Sequence, residues 1–360
     1  MPGPLTGLQI IEMAGIGPGP LAGQLLADLG ADVIVVDRAT APVDKTDINR
    51  RGKRSIVLDL KTDQGRATAR KLINHAGIVI EGFRPGVMER LGLGPADLSE
   101  HVIFGRITGW GQDGPLSQTA GHDINYLSLT GALAAMGSKD QPPMPPLNLV
   151  ADYAGGTMFL LLGLLSAVYE RQHSGKGQVI DAAMVDGVSA LMGLFHRFLA
   201  RGDWTLDRHQ NLLDGGAPFY RCYKTKDDRF ISVGPLEPQF HTILLEKAGL
   251  PPEHQKTQND RATWQEKCAF YEKVFAKHTQ AEWCAIFAGT DACVAPVLNM
   301  EEAPHHPHMA ARNTFSVIDS VLQASPAPRF SRSQVSQTPK PAAPGAHTAD
   351  ILAELQNIKD

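Results

Sequence analysis

The stretch that most constrains this chain is 8–37. Leu8 to Met13 is apolar, GIGPGP is a turn, Leu21 to Leu29 has helical spacing, and Ala31 to Val36 is β-branched and ends at Asp37. Such a pattern reads strand, turn, helix, strand. A crossover helix returns the second strand parallel to the first, so this is a βαβ unit and the seed of a parallel sheet. More strands are expected at Ser55 to Leu60, Ile78 to Ile80, Val102 to Thr108 and Val179 to Asp181. At 360 residues the chain exceeds the roughly 100–200 of a usual domain, and two domains are expected.

An acidic residue closing the second strand invites a dinucleotide reading, because a ribose partner sits there in nucleotide-binding sheets. The glycines disagree: Gly15, Gly17 and Gly19 alternate, and Pro20 occupies the third fingerprint position. A net charge of -4 exerts no global pull on nucleic acid or an anionic membrane, so an anionic ligand must be held by local basic groups. Arg38, Lys45, Arg50, Arg51, Lys53, Arg54 and Lys61 crowd one stretch, and Arg84 and Arg90 follow the Ile78 to Ile80 strand. They read either as a solvated face or as phosphate-binding loops. Arg offers forked donors and Lys a point charge, and open α/β sheets bind ligands beyond the carboxyl ends of their strands.

The four cysteines lack CxxC spacing and read as reduced thiols in a cytosol-like compartment. MPGPLTGLQIIEMAG lacks the basic start of a signal peptide, and QNIKD carries no address of the Ser-Lys-Leu type. The most apolar run, Met158 to Val168, is eleven residues long, short of the roughly 20 that span a bilayer. A cytoplasmic protein without membrane insertion is expected. His305, His306 and His308 alternate with prolines and lack a spaced carboxylate, so an exposed loop is expected there and no metal site.

Chemistry concentrates between Ala120 and Gly156. His122 stands beside Asp123, a proline-rich connection follows, and then come Asn148 and Asp152, at the start of the most apolar segment. Two proton carriers of unlike type on either side of a stiff loop suit a two-sided proton transfer, and His titrates near neutral pH. The plainer reading is that Asp152 caps a helix starting at Tyr153 or Ala154, while His122 serves a local backbone group. That helix, to Glu170, reads as buried nearly all round, and a second from Met184 to Arg201 leads out of the first domain. From Asp214 to Met300 the composition changes to two strands around a DDR turn and three amphipathic helices. Two turn-rich connections and a short helix, Asp350 to Ile358, complete the chain.

Motifs in order and at matching spacing along nearly the whole chain resemble the α-methylacyl-CoA racemase family, within the family III CoA-transferase superfamily. They are RGKRS at Arg51 to Ser55, LDLK at Leu58 to Lys61, GWGQ at Gly109 to Gln112, AGHDINY at Ala120 to Tyr126 and PLNLVADYAGG at Pro146 to Gly156. GKGQVIDAAMVDG at Gly175 to Gly187, LDGGAPFY at Leu213 to Tyr220, VGPLEPQF at Val233 to Phe240 and TDACVAPVL at Thr290 to Leu298 continue the match.

The resemblance implies an α/β fold: a Rossmann-like large domain built from both chain ends, and a smaller α+β domain, in an interlocked homodimer. The implied boundaries are 1–185 for the N-terminal part of the large CoA-binding domain, 186–220 for a linker and 221–300 for the small domain. A second linker at 301–328 and a C-terminal return at 329–360 follow. The implied reaction interconverts (2R)- and (2S)-2-methylacyl-CoA thioesters through an enolate. His122 would handle the proton of the S substrate and Asp152 that of the R substrate. Asn148, and Glu237 from the other subunit, would hold His122, and backbone N–H groups beside Asp152 would face the enolate oxygen. CoA, part of the substrate and not a cofactor, would lie on Arg38, on the strand Leu58, Asp59, Leu60 and Lys61, and on Gly121, Asp123, Ile124, Asn125 and Tyr126. The basic loop residues Arg84 and Arg90 are added as phosphate ligands. No metal is implied. The alternative within the fold is an acyl-CoA:carboxylate CoA-transferase in which Asp152 is the nucleophile. It needs no base opposite, so His122 favours the racemase.

Overall fold

The computed structural model describes residues 3–335 and 340–357. Its contacts divide the chain into two compact units, one made of 1–130, 147–191 and 307–360 and the other of 131–146 and 192–306. The proline-rich connection at 131–146, expected within the large domain, packs with the second unit.

The first unit opens with β1 (Gln9–Met13), α1 (Pro18–Asp28) and β2 (Asp32–Asp37). Helix α1 starts three residues before the apolar periodicity suggests, because Pro18 and Pro20 fit a first turn, where a missing N–H costs nothing. Next come β3 (Arg54–Val57), α2 (Asp63–Ala76), β4 (Ile78–Glu81) and the short α3 (Val87–Arg90). Strand β3 ends at Val57, so Leu58 to Lys61 is not strand. Asp59 accepts from the Lys61 N–H, and Thr62 caps α2 by accepting from the Gly65 N–H. Strand β5 (Ile103–Thr108), α4 (Asp123–Leu129), α5 (Met158–Ser174), β6 (Val179–Ala183) and α6 (Met184–Leu191) follow.

The six strands form one parallel sheet in the order β3-β2-β1-β4-β5-β6. Chain direction across the sheet reverses between β1 and β4, and such a switch point opens a crevice at the carboxyl ends of the strands. One face of the sheet is closed by Ile11, Ile34, Val79 and Phe104 against Leu72 and Ile73 of α2. Ile351 and Leu355 of the C-terminal helix join the same core from more than 240 positions away in sequence.

Helix α5 covers another part of the sheet. Leu160 and Leu164 approach Gly105 so closely that a Cβ there would lie 2.9 and 3.0 Å from their methyl groups. The helix is not buried all round: Leu162, Leu165 and Tyr169 are exposed. Together with the turn before it, α5 makes 26 helical residues, Leu149–Ser174, long and apolar enough by length and composition to cross a membrane. Its packing on β5 and β6 accounts for that composition on one side only.

The expected helix from Met184 to Arg201 is broken at Met192, where α6 ends and α7 (Gly193–Ala200) begins in the second unit. That unit carries β7 (Arg221–Lys224), β8 (Phe230–Val233), α8 (Pro238–Ala248), α9 (Trp264–Phe275), α10 (Gln280–Phe287) and β9 (Val294–Pro296). Its three-stranded antiparallel sheet packs Tyr223, Ile231 and Val233 against Leu244, Tyr271, Phe275 and Trp283.

The chain re-enters the first unit with α11 (Pro307–Ala311), the hairpin β10 (Phe315–Ile318) and β11 (Val321–Ala324), and α12 (Thr348–Gln356). His305, His306 and His308 therefore lie in and beside short helical turns, with His305 and His308 exposed as expected. Ile358, the expected end of the last helix, lies outside the described residues. The return segment blunts the sheet edge. The His347 N–H donates to the Ser55 carbonyl, the Val57 N–H donates to Thr348 Oγ1, and Arg54 pairs with Glu354. Arg51, almost fully buried, pairs with Asp28 and also donates to Gln323 and the Ala324 carbonyl, tying the hairpin to α1.

Candidate active site

At the carboxyl ends of the parallel strands lies a cavity of about 1080 Å³, lined wholly by the first unit. Every strand of the sheet except β3 contributes to its wall directly or through the turn that follows it. Met13 ends β1 and the residues to Pro20 follow it, Asp37 ends β2 and Arg38 follows, Gly82 to Pro85 follow β4, Thr108 ends β5 with Gly109 and Trp110 after it, and Met184 follows β6.

Asp152 lies in this cavity, but not as a helix cap. Residues Leu149–Thr157 form a π-helical turn, with Asn148 at its N-cap, leading straight into α5. Such wide turns recur at functional sites because they re-aim one side chain out of a regular helix. Two glycines give this one room: a Cβ on Gly155 would lie 2.7 Å from Val188, and one on Gly187 would lie 1.9 Å from the Gly155 carbonyl oxygen. The turn and α6 thus cross backbone to backbone. Asp123, at the first turn of α4, is buried and its Oδ2 accepts from the N–H groups of Ala151 and Asp152 at 2.9 and 2.8 Å. These donors, expected to face an enolate, are already engaged. Asp123 does not line the cavity and acts as an anchor between α4 and the π-helical turn.

Burial is the main cause raising the Asp152 carboxyl above its ordinary pKa. A long hydrogen bond from Asn148 Nδ2, at 3.4 Å, works against it, the negative charge of Asp123 reinforces it, and His122 opposes it. Facing the carboxyl is Gly17, whose backbone (φ 70°, ψ -118°) only glycine adopts readily; a Cβ there would lie 3.6 Å from Asp152 Oδ2.

His122 is an exposed residue on the cavity wall, at the N-cap of α4. Its own N–H donates to Asn125 Oδ1 at 3.0 Å, and its carbonyl accepts from Asn125 and Tyr126. Backbone pinning of this kind leaves the imidazole free to meet a ligand. Beside it, the Tyr126 hydroxyl donates to the Gly121 carbonyl, and its ring meets Trp110 edge to face at 4.8 Å. Gly109 and Gly121 are required here, since a Cβ on either would collide with the Tyr126 ring.

The positive groups divide by function. Lys53 pairs with Glu12 at 2.6 Å and Arg50 with Asp37 at 2.6 Å, so these two cations on the cavity floor are neutralised internally. Arg38 and Arg84 are exposed on the cavity wall and have no carboxylate partner among the described residues.

Of the residues singled out from sequence, Arg38, Arg84, Gly121, His122, Tyr126, Asn148 and Asp152 share this cavity. Leu58, Asp59, Leu60, Lys61, Arg90, Ile124 and Asn125 do not line it. Glu237 stands at the N-cap position of α8 in the second unit, without a side-chain capping bond, and is exposed. Sequence reading missed Glu12, Phe83, Trp110 and Met184 as wall residues, and it weighed Asp37 only as a ribose partner. The only signal for them was position, each standing in a strand or just past its end, as ligand-facing residues of such sheets do. Among the described residues no group of three or more His, Cys, Asp or Glu side chains is placed to hold a metal ion.

A parallel sheet whose switch-point crevice is lined by the Asp152 carboxyl, the His122 imidazole and the Arg38 and Arg84 guanidinium groups defines an α/β protein with a candidate site at the ends of its strands. The chain belongs to CoA-transferase family III, whose family model matches residues 5–348. It is 45% identical over 355 residues to the α-methylacyl-CoA racemase of Mus musculus, covering 97% of this chain and 93% of that protein. It is 42% identical over 365 residues to the α-methylacyl-CoA racemase of Homo sapiens, covering 98% and 93%. Among solved structures, a CAIB/BAIF family protein from Brucella suis matches with a TM-score of 0.82 at 26% identity, covering 99% of this chain and all of that one.

Proposed function

We propose that this protein is an isomerase that interconverts (2R)- and (2S)-2-methylacyl-CoA thioesters, with His122 and Asp152 as the two proton carriers. One observation carries the assignment of residues: two groups of unlike type, from separate segments of the chain, line one cavity that also holds unpaired guanidinium groups. The hydrogen beside a thioester carbonyl is weakly acidic, and its removal leaves an enolate with charge on the thioester oxygen. Inversion requires that one group take the proton from one face while another returns a proton to the opposite face. Asp152, held above its ordinary pKa by burial, is suited to both halves of that exchange. Arg38 and Arg84 would receive CoA phosphates.

An interlocked homodimer belongs to the same proposal, with the partner's Glu237 supporting His122. It is supported by the exposed apolar side chains Leu162, Leu165, Leu191, Leu194 and Leu199, which a second subunit would cover. Light scattering that returns a monomer at micromolar concentration would remove that part of the proposal.

The test of the reaction is incubation of one enantiomer of a 2-methylacyl-CoA in deuterium oxide, without an acceptor acid. Optical inversion with deuterium at the second carbon is expected, and both His122→Ala and Asp152→Asn should abolish inversion. If neither inversion nor exchange occurs, yet CoA moves to an added carboxylic acid, the protein is a transferase and Asp152 its nucleophile.

A further inference from the structure

Thr157 is the last residue of the π-helical turn and is fully buried. It lines no part of the cavity. Its hydroxyl oxygen lies 2.9 Å from the carbonyl oxygen of Pro18 and 3.3 Å from the carbonyl oxygen of Asp152. A hydroxyl has one proton to donate, so the Pro18 contact is the main bond and the Asp152 contact the weaker branch of a three-centre arrangement. Pro18 directly follows Gly17, the residue that faces the Asp152 carboxyl group. One buried hydroxyl therefore joins the main chain of Asp152 to the turn against which its carboxyl rests. A turn with π-helical spacing is what brings residue 157 back to residue 152 in this way, five positions along the chain.

We propose that Thr157 is a positioning residue for the reaction, its hydroxyl setting how Asp152 sits against the Gly17–Pro18 turn and so where the carboxyl meets the carbon that loses its proton. This rests on the racemase reading above. Valine has nearly the shape of threonine and lacks only the donor, so Thr157→Val preserves packing while releasing the link. Serine keeps the donor and loses a methyl group.

In steady-state racemisation, Thr157→Val should lower kcat about ten-fold or more, since small misplacements of a reacting group cost up to about 100-fold. KM for the CoA ester should stay within about two-fold, because Arg38 and Arg84 stand on other elements. Thr157→Ser should recover most of the lost kcat. In deuterium oxide the valine variant should still exchange the hydrogen of the enantiomer handled by His122, while inversion falls with kcat. A valine variant with wild-type kcat overturns the inference, as does a serine variant no better than valine. If the wild-type protein inverts neither enantiomer, the racemase reading has failed instead. A crystal structure of Thr157→Val then decides this inference: an Asp152 carboxyl displaced from Gly17 supports it, and an unmoved one refutes it.

Discussion

Replacing Lys53 by Met tests how the cavity floor is held. Lys53 Nζ sits 2.6 Å from Glu12 Oε2 with both side chains almost fully buried, and it also donates to the Pro20 carbonyl at 2.8 Å. At that separation and an effective dielectric of about 20, the attraction is about 6 kcal/mol, against a desolvation cost of several kcal/mol for each ion. Burial pushes the Glu12 carboxyl up and the Lys53 ammonium down, each opposed by the other's charge. The pair is thus close to balance, and breaking it is costly because the survivor is stranded. Lys53→Met should destabilise the protein by about 3–5 kcal/mol. Changing Glu12 to Met as well removes the stranded charge; what remains is the lost donor to Pro20, about 1 kcal/mol. Urea unfolding followed by circular dichroism, on the two single variants and the double, measures the cycle. A double variant as unstable as the sum of the singles would refute this account. So would a Lys53→Met variant within 1 kcal/mol of wild type.

Two further outcomes follow from single residues. Gly17→Ala forces a side chain into a glycine-only backbone region, at a cost of about 1–3 kcal/mol, and sets a methyl group against Asp152 Oδ2. Turnover should fall with the stability loss, and a variant with unaltered melting and kcat would contradict the geometry. Glu81, buried at the end of β4, is raised from an ordinary 4.5 to about 7, by burial first, against the opposing Phe83 N–H and Arg106 and with Glu89 adding. Because its folded pKa exceeds its unfolded one, its stabilising effect is full below about pH 4.5 and is lost as pH rises through about 7, by up to about 3 kcal/mol. Glu81→Gln keeps an acceptor for Phe83 and should flatten stability between pH 5 and 8; equal slopes for both proteins would count against the assignment.

Local pattern carried much of the reading. Apolar runs separated by glycine and proline located all six strands of the parallel sheet, because strand period and turn chemistry are short-range properties. Strand ends then pointed to the loops that line the cavity, and Arg38, Arg84, His122 and Asp152 do share its wall. Where local pattern misled, a distant contact had overridden it. Asp152 has the sequence context of a helix cap, yet Asp123 takes its N–H and that of Ala151, and Asp152 lies inside a π-helical turn that crosses α6 closely at Gly155 and Gly187. The basic run from Arg38 to Lys61 reads as one cluster. In three dimensions Arg50, Arg51, Lys53 and Arg54 are claimed by Asp37, Asp28, Glu12 and Asp32, leaving Arg38 as its cavity cation without a carboxylate partner among the described residues. Helix periodicity likewise showed that the segment after Asp152 is apolar but not which side the sheet covers. Sequence by itself determined the strands, the loops and the kinds of chemical group available. Tertiary structure alone decided which charges cancel and that the Asp152 carboxyl shares a cavity with His122, because ion pairing and burial depend on distances between segments that local pattern does not contain.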